Sequence, residues 1–182
     1  MNVITVTEPV SVLREIEASC LACSEINPQR SNEPVIERSA IAFRAGKNYL
    51  LAALDEIAEI LDVPQLTRVP RAQPWVRGIA NVRGNLLPIA DFLGVLGREV
   101  ATLTGKTRIM VIQYNGIYSG LVVDEVFGMK HFTESERVGE QEDLEGCLHT
   151  FIRNSYFKND RVWSEISLLS VALTPQFLQA AV

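Results

Sequence analysis

Through most of the chain, apolar residues come in short blocks cut off by glycine, proline, asparagine or charge. That is the pattern of strands and turns rather than of long helices. "AIAFRAGKNYLLAAL" reads as two short strands around a Gly46-Lys47-Asn48 turn. "LDEIAEIL" follows as a short helical or irregular turn, with Leu54, Ile57 and Leu61 on one side and Glu56 and Glu59 half-exposed. Pro64, Pro70 and Pro74 punctuate the connection into "GIANVRGNLLPIADF" over 78–92. There, Gly78 to Arg83 and Leu86 to Ala90 predict a hairpin that turns at Gly84-Asn85. Pro88 cannot donate to a ladder, so its strand belongs at an edge or has that amide position facing outward. "RIMVIQY" and "IYSGLVVDEVFG" meet at Asn115-Gly116, a strong hairpin signal, and "VFGMKHF" suggests a further strand. "TFIRNSYF" and "RVWSEISLL" flank a turn around Lys158, Asn159 and Asp160, and Thr174 and Pro175 are placed to cap and open a closing helix.

The start of the chain differs. Val12, Leu13, Ile16, Cys20, Leu21 and Cys23 recur at helical spacing, and the polar, proline-bearing "NPQRSNEPVIER" follows as a linker. Residues 1–39 therefore read as a helical extension with its linker, and 40–182 as the body. The helix either packs on that body or serves as a separate docking or dimerising element. The body is expected to be an all-β barrel or sandwich, and the lack of long βαβ units speaks against a doubly wound nucleotide-binding fold.

Composition adds bounds. The 182 residues, 47% hydrophobic and 21% charged, suit one folded domain with an appendage. A net charge of −5 argues against a dedicated nucleic-acid binder, but the charge is uneven. Arg68, Arg71, Arg77 and Arg83 carry every charge between Val63 and Ala90, whereas Glu134, Glu136, Glu140, Glu142, Asp143 and Glu145 surround Arg137 alone. The two segments are either docking faces of opposite sign or two solvated surfaces. No run approaches the roughly 18 apolar residues of a membrane span. The first residues do not read as a secretory signal, so a cytoplasmic protein is expected, with any membrane association made through a partner.

Candidate chemistry is sparse. Cys20 and Cys23 form a C-x-x-C, and Cys147 with His149 could complete four ligands, yet the first pair lies on a helical pattern without a βαβ setting and C-x-H is an uncommon second couple. Apolar filling is the better account of the cysteines. Asp91, just before "FLGVLG", is better read as a helix cap than as a catalytic carboxylate, since no second acid or histidine shares its motif. His131 and His149 stand apart from any paired nucleophile, and phosphate-loop, dinucleotide, nucleophile-elbow and zincin motifs are missing. The arginines lack the interleaved aromatics of a nucleic-acid platform, Trp75 being the one ring among them. Arg83, beside a tight turn in an apolar stretch, is either a solvated hairpin residue or a docking residue.

"GIANVRGNLLPIADF" resembles the G-x-x-N-x-R-G…P-x-x-D signature of the CheW family, coupling proteins of bacterial chemosensory arrays, with Gly78, Asn81, Arg83, Gly84, Pro88 and Asp91 in place. "YLLAALDEIAEIL" resembles the family's V-x-E-I segment with Ile57, Glu59 and Ile60 in register, and "YSGLVVDEVFGM" its G-x-x-V-D-x-V strand with Asp124. The last strand reads "VWSEISLL" where the family often carries an aspartate. The N-terminal extension, "AQPWVRGIANVRG" and "VVDEVFGMKHF" are most similar to members serving type IV pilus (twitching motility) systems. The resemblance implies two interlocked five-stranded β-barrels, no catalysis and no cofactor or metal. It implies an adaptor between the cytoplasmic tip of a methyl-accepting receptor and the CheW-like regulatory domain of a histidine kinase, with assembly into arrays at the inner membrane. It places Ile57, Glu59, Gly78 and Arg83 on or beside the receptor-facing surface, with Asn81, Gly84, Pro88, Asp91 and Asp124 as structural residues. A flagellar chemotaxis scaffold and a small thiol- or metal-dependent enzyme are the alternatives.

Overall fold

The computed structural model describes residues 37–114, 116–139 and 146–180; the stretch carrying Cys20 and Cys23, Asn115 of the expected turn and most of the acidic segment lie outside them. Within the described residues, β1 (Glu37–Ala45) and β2 (Asn48–Ala53) open a six-stranded sheet completed by β8 (Glu125–Thr133), β9 (Arg137–Val138), β10 (Ile152–Lys158) and β11 (Arg161–Ile166), in the order β8-β1-β2-β11-β10-β9. Between them in the chain come β3 (Glu59–Asp62), β4 (Val76–Val82), β5 (Asn85–Asp91), β6 (Arg108–Tyr114) and β7 (Ile117–Val123), a five-stranded sheet ordered β3-β6-β7-β5-β4. Each sheet joins antiparallel hairpins through one parallel pairing, β2 with β11 and β5 with β7. One sheet is thus built wholly inside the sequence of the other. This is the interlocked all-β plan, and the strand beyond the expected five is the two-residue β9.

The central strands β1, β2, β6 and β7 are buried on both faces, which explains why they read as continuous apolar runs. Along β1, Ala40 and Ala42 face a small core of the six-stranded sheet with Leu51, Phe132, Tyr156 and Trp163, while Ile41 and Phe43 face a central core. Along β6, Ile109 and Val111 enter the core of the five-stranded sheet, and Met110 and Ile112 the central one. In that central core, Phe43 meets Phe92 edge-on, ring centroids 5.8 Å apart, so the two sheets share it.

Three local expectations are corrected. The segment after β2 is a single 3-10 turn (Leu54–Glu56) followed by a true strand, β3. Leu54 points outward, 43% exposed, whereas Glu56, expected half-exposed, is only 4% exposed. The hairpin turns at Arg83-Gly84 rather than Gly84-Asn85, with Val82 opposite Asn85 as the closing pair. Finally, of the two placements open to Pro88, the edge strand is excluded and the unpaired amide position holds, because β7 and β4 flank β5. Pro88 is tolerated because the parallel ladder to β7 begins only at Ile89, and the amide of Ile79 opposite it is turned to Thr67. Elsewhere Asn159 and Asp160, both at positive φ, turn β10 into β11, and Thr174 caps the helix Pro175–Leu178.

Candidate functional site

The β4–β5 hairpin tip is built by its sequence. A two-residue turn of matching twist needs positive φ at both central positions; Arg83 has φ 50° and Gly84 86°. Asn81 secures the bend by accepting the Gly84 N–H on Oδ1 at 2.9 Å. The Arg83 side chain stays 76% exposed and donates from Nη2 to Glu59 Oε1 at 2.5 Å. Since β3 and β4 are opposite edges of the five-stranded sheet, an ion pair from this tip to Glu59 on β3 requires the sheet to curl upon itself.

Backbone pairing closes the same seam. Thr67, beyond β3, exchanges two hydrogen bonds of 2.9 Å with Ile79 on the free side of β4. Gly78 makes this approach feasible: it sits at φ 139°, and a Cβ there would lie 2.5 Å from the Thr67 carbonyl oxygen. Gly78 is therefore buried beneath the connection, covered by the protein's own chain. Ile57 is half-buried against the central core, and the next amide, of Ala58, donates to Val111 O on β6. Of the four foreseen docking residues, Glu59 and Arg83 meet at the surface, Ile57 lies two residues from Glu59, and Gly78 supports from below.

The remaining motif residues build the frame. Asp91 has no exposed surface; it accepts from Gly94 N at 3.0 Å, capping the helix Phe92–Val95, and from Ala101 N at 2.9 Å, with Arg77 at 4.0 Å. Burial nevertheless pushes its carboxyl above the ordinary carboxylate range. Asp124, between β7 and β8, accepts the Gly46 N–H of the β1–β2 turn and faces Arg44 at 3.6 Å, tying that turn to the junction between sheets. No cluster of three or more potential metal ligands occurs among the described residues. His131 lies on β8, hydrogen-bonded to Ser39.

Sequence reasoning missed Glu56. Its carboxylate accepts from Ser167 Oγ at 2.9 Å and Leu168 N at 2.6 Å, with Arg153 at 3.5 Å. No local signal could have revealed it, because the hydrogen-bond donors Ser167 and Leu168 lie more than a hundred residues downstream.

Comparison with known proteins bears on the whole body. The family described as "CheW-like domain" matches residues 39–164. Protein PilI of Pseudomonas aeruginosa is 36% identical over 177 residues, covering 97% of this chain and 98% of that one. Chemotaxis protein CheW of Rhizobium meliloti is 37% identical over 89 residues, 49% of this chain and 57% of that relative. The crystal structure of the scaffolding protein TtCheW from Thermoanaerobacter tengcongensis superposes with a TM-score of 0.64 at 18% identity, covering 78% of this chain and 96% of that one; at that identity the likeness speaks for the fold alone.

Proposed function

The chain belongs to the CheW-like domain family, and on that premise we propose that it is a non-catalytic adaptor coupling a methyl-accepting chemoreceptor to a histidine kinase in the chemosensory pathway that controls type IV pili and twitching motility. Supporting the pilus assignment is the reach of the likeness, 97% of the chain for the Pseudomonas protein against 49% for the Rhizobium one. The observation that carries the docking reading is the hairpin tip: an arginine held in a left-handed conformation, displayed to solvent and tethered by one exposed ion pair. Such an arginine can exchange Glu59 for a partner carboxylate or carbonyl with little lost. Ile57, Glu59 and Arg83 would form the receptor contact, and Gly78 would hold the seam beneath them. The kinase's CheW-like regulatory domain would be the second partner, and repeated pairing would build arrays that bring this cytoplasmic protein to the inner membrane. No helix among the described residues is long and apolar enough to cross a membrane. Residues 1–39 would act as an extension of the 40–182 body.

Calorimetric titration of the full chain against a receptor-tip fragment and against the kinase regulatory domain tests this. Wild type should bind both, and Arg83→Ala should weaken receptor binding by more than about 1 kcal/mol while leaving the kinase arm intact. Binding to neither partner would end the adaptor reading; an unchanged Arg83→Ala would remove Arg83 from the contact.

A further inference from the structure

Arg68, Arg71 and Arg77 form the part of the basic segment that the proposed receptor contact leaves unused. Arg68 and Arg77 line a cavity of about 470 Å³ whose apolar wall includes Leu66, Val69, Val76 and Leu103. The walls are pinned on both sides. Thr67, just before Arg68, is held to Ile79 by two backbone hydrogen bonds of 2.9 Å. Gln73, also in the lining, donates its N–H to Ala180 O at 3.0 Å and accepts from Val76 N at 2.9 Å. Arg77, on β4, has a side chain only 19% exposed and lies 4.0 Å from the buried Asp91 carboxylate, so its head is oriented before any ligand arrives. Arg68 and Arg71 have no ion pair or side-chain hydrogen bond among the described residues.

Charge decides the class of occupant. No acidic residue belongs to the lining. Asp91, behind Arg77, supplies at most one negative charge, and both its oxygens already accept backbone N–H bonds. Of the acids nearest in sequence, Asp62 pairs with Arg108, and Glu99 lines a different cavity beside Lys47 and Arg98. Counting Arg71, which lies between the lining residues Val69 and Ala72, three guanidinium groups stand against one carboxylate, a surplus of two positive charges. A phosphomonoester, nearly doubly charged at neutral pH, matches that surplus, and its oxygens suit the forked N–H donors of arginine. A monocarboxylate would leave one guanidinium uncompensated. The volume falls within the range of about 300–1,000 Å³ typical of small-molecule sites and leaves room beyond a bare phosphate for an ester body on the apolar wall. No aromatic ring belongs to the lining, and the neighbouring Trp75 is stacked on Phe177 at 5.9 Å, so a nucleobase would find no platform. A concave site with pinned walls suits a free small molecule rather than the broad contact of a protein partner.

We propose that this cavity binds a small aliphatic phosphomonoester, its phosphate held between the Arg68 and Arg77 guanidinium groups and its body against Val76 and Leu103. The site stands independently of the hairpin tip and of the coupling function. The test is a two-dimensional NMR titration of the full chain with glycerol phosphate, repeated with inorganic phosphate, butyrate, AMP and a phosphoserine peptide. Saturable shifts from glycerol phosphate should fall on the amides of Leu66, Arg68, Val69, Gln73 and Leu103. Arg68→Gln should weaken this probe about tenfold or more, as loss of a charge-assisted hydrogen bond would. Its melting temperature should not fall, because the side chain has no partner among the described residues. Arg83→Gln removes the same charge elsewhere and should leave the probe's affinity unchanged. Val69→Glu puts a carboxylate into the lining and should abolish binding. Shifts that are absent or lie elsewhere, equal losses in Arg68→Gln and Arg83→Gln, or a Val69→Glu variant that binds unchanged would overturn the site. Glycerol phosphate binding no more tightly than any one of the other four probes would overturn its assignment to a free aliphatic phosphomonoester.

Discussion

At the scale of single residues, Arg83, Gly78 and Asp91 set the folding demands of one motif beside the docking role proposed for Arg83. Arg83 has a left-handed backbone that costs an ordinary residue about 1–2 kcal/mol, and its exposed ion pair returns at most about 1 kcal/mol. Arg83→Gly should therefore unfold in urea at least as late as Arg83→Ala, although both lose the guanidinium. If binding falls equally in the two, the residue is kept for contact and not for the turn. Gly78→Ala should behave oppositely. Its Cβ meets the Thr67 backbone at 2.5 Å and cannot be accommodated by rotating a side chain. A loss of about 2–4 kcal/mol is expected, with the amide of Ile79 losing hydrogen-exchange protection first. Asp91 gives a pH signature. With its folded pKa raised, its stabilising contribution is fully present below the ordinary 3.8 and is lost as pH climbs through the folded value. Asp91→Asn cannot ionise and turns a donor toward the Ala101 N–H, so it should melt below wild type. That gap should be widest in acid and narrow as pH rises across the window.

Elements were legible where the chain states its own local rule. Gly46-Lys47, Asn159-Asp160, the Thr174 cap and the Asp91 cap all follow from residue types that favour positive φ or supply an acceptor at a helix start. The hairpin tip was displaced by one residue because glycine marks a turn without fixing its register; closing Val82 against Asn85 places Arg83 inside it. The segment after β2 departs from its sequence pattern for a different reason. Glu56, Ile57 and Glu59 look like a polar-apolar surface turn, but Glu56 is drawn inward by Ser167 and the Leu168 amide, and that turns the chain into β3. Ser167 also caps the helix Leu168–Ala172, accepting from Ser170 N. One carboxylate thus fastens the entry to the five-stranded sheet onto the closing segment of the other. Glu56→Ala would leave the Leu168 N–H and the Ser167 O–H donor without their acceptor, and about 1–3 kcal/mol should be lost in equilibrium unfolding. A variant as stable as wild type would mean that water replaces the carboxylate.

For the molecule as a whole, the shared core makes an adaptor of this kind mechanically plausible. Ile41, Phe43 and Leu50 from the six-stranded sheet pack with Phe92, Met110 and Leu121 from the five-stranded one and its following helix, and Asp124 ties the β1–β2 turn to the junction. A close-packed core transmits displacement instead of absorbing it. A push on the Arg83 tip would reach the six-stranded sheet without an intervening hinge, which coupling by geometry requires. Two barrels joined by a loose interface would instead unfold separately. Phe92→Ala separates these cases, because the ring is fully buried and edge-on to Phe43 across the sheets. The substitution should cost about 3–5 kcal/mol. Native-state hydrogen exchange should then show Leu50 and Leu51 of β2 losing protection in step with Ile109 to Ile112 of β6. Loss confined to β6 would show that the sheets open independently, and the Arg83 tip would then need another route to the second partner.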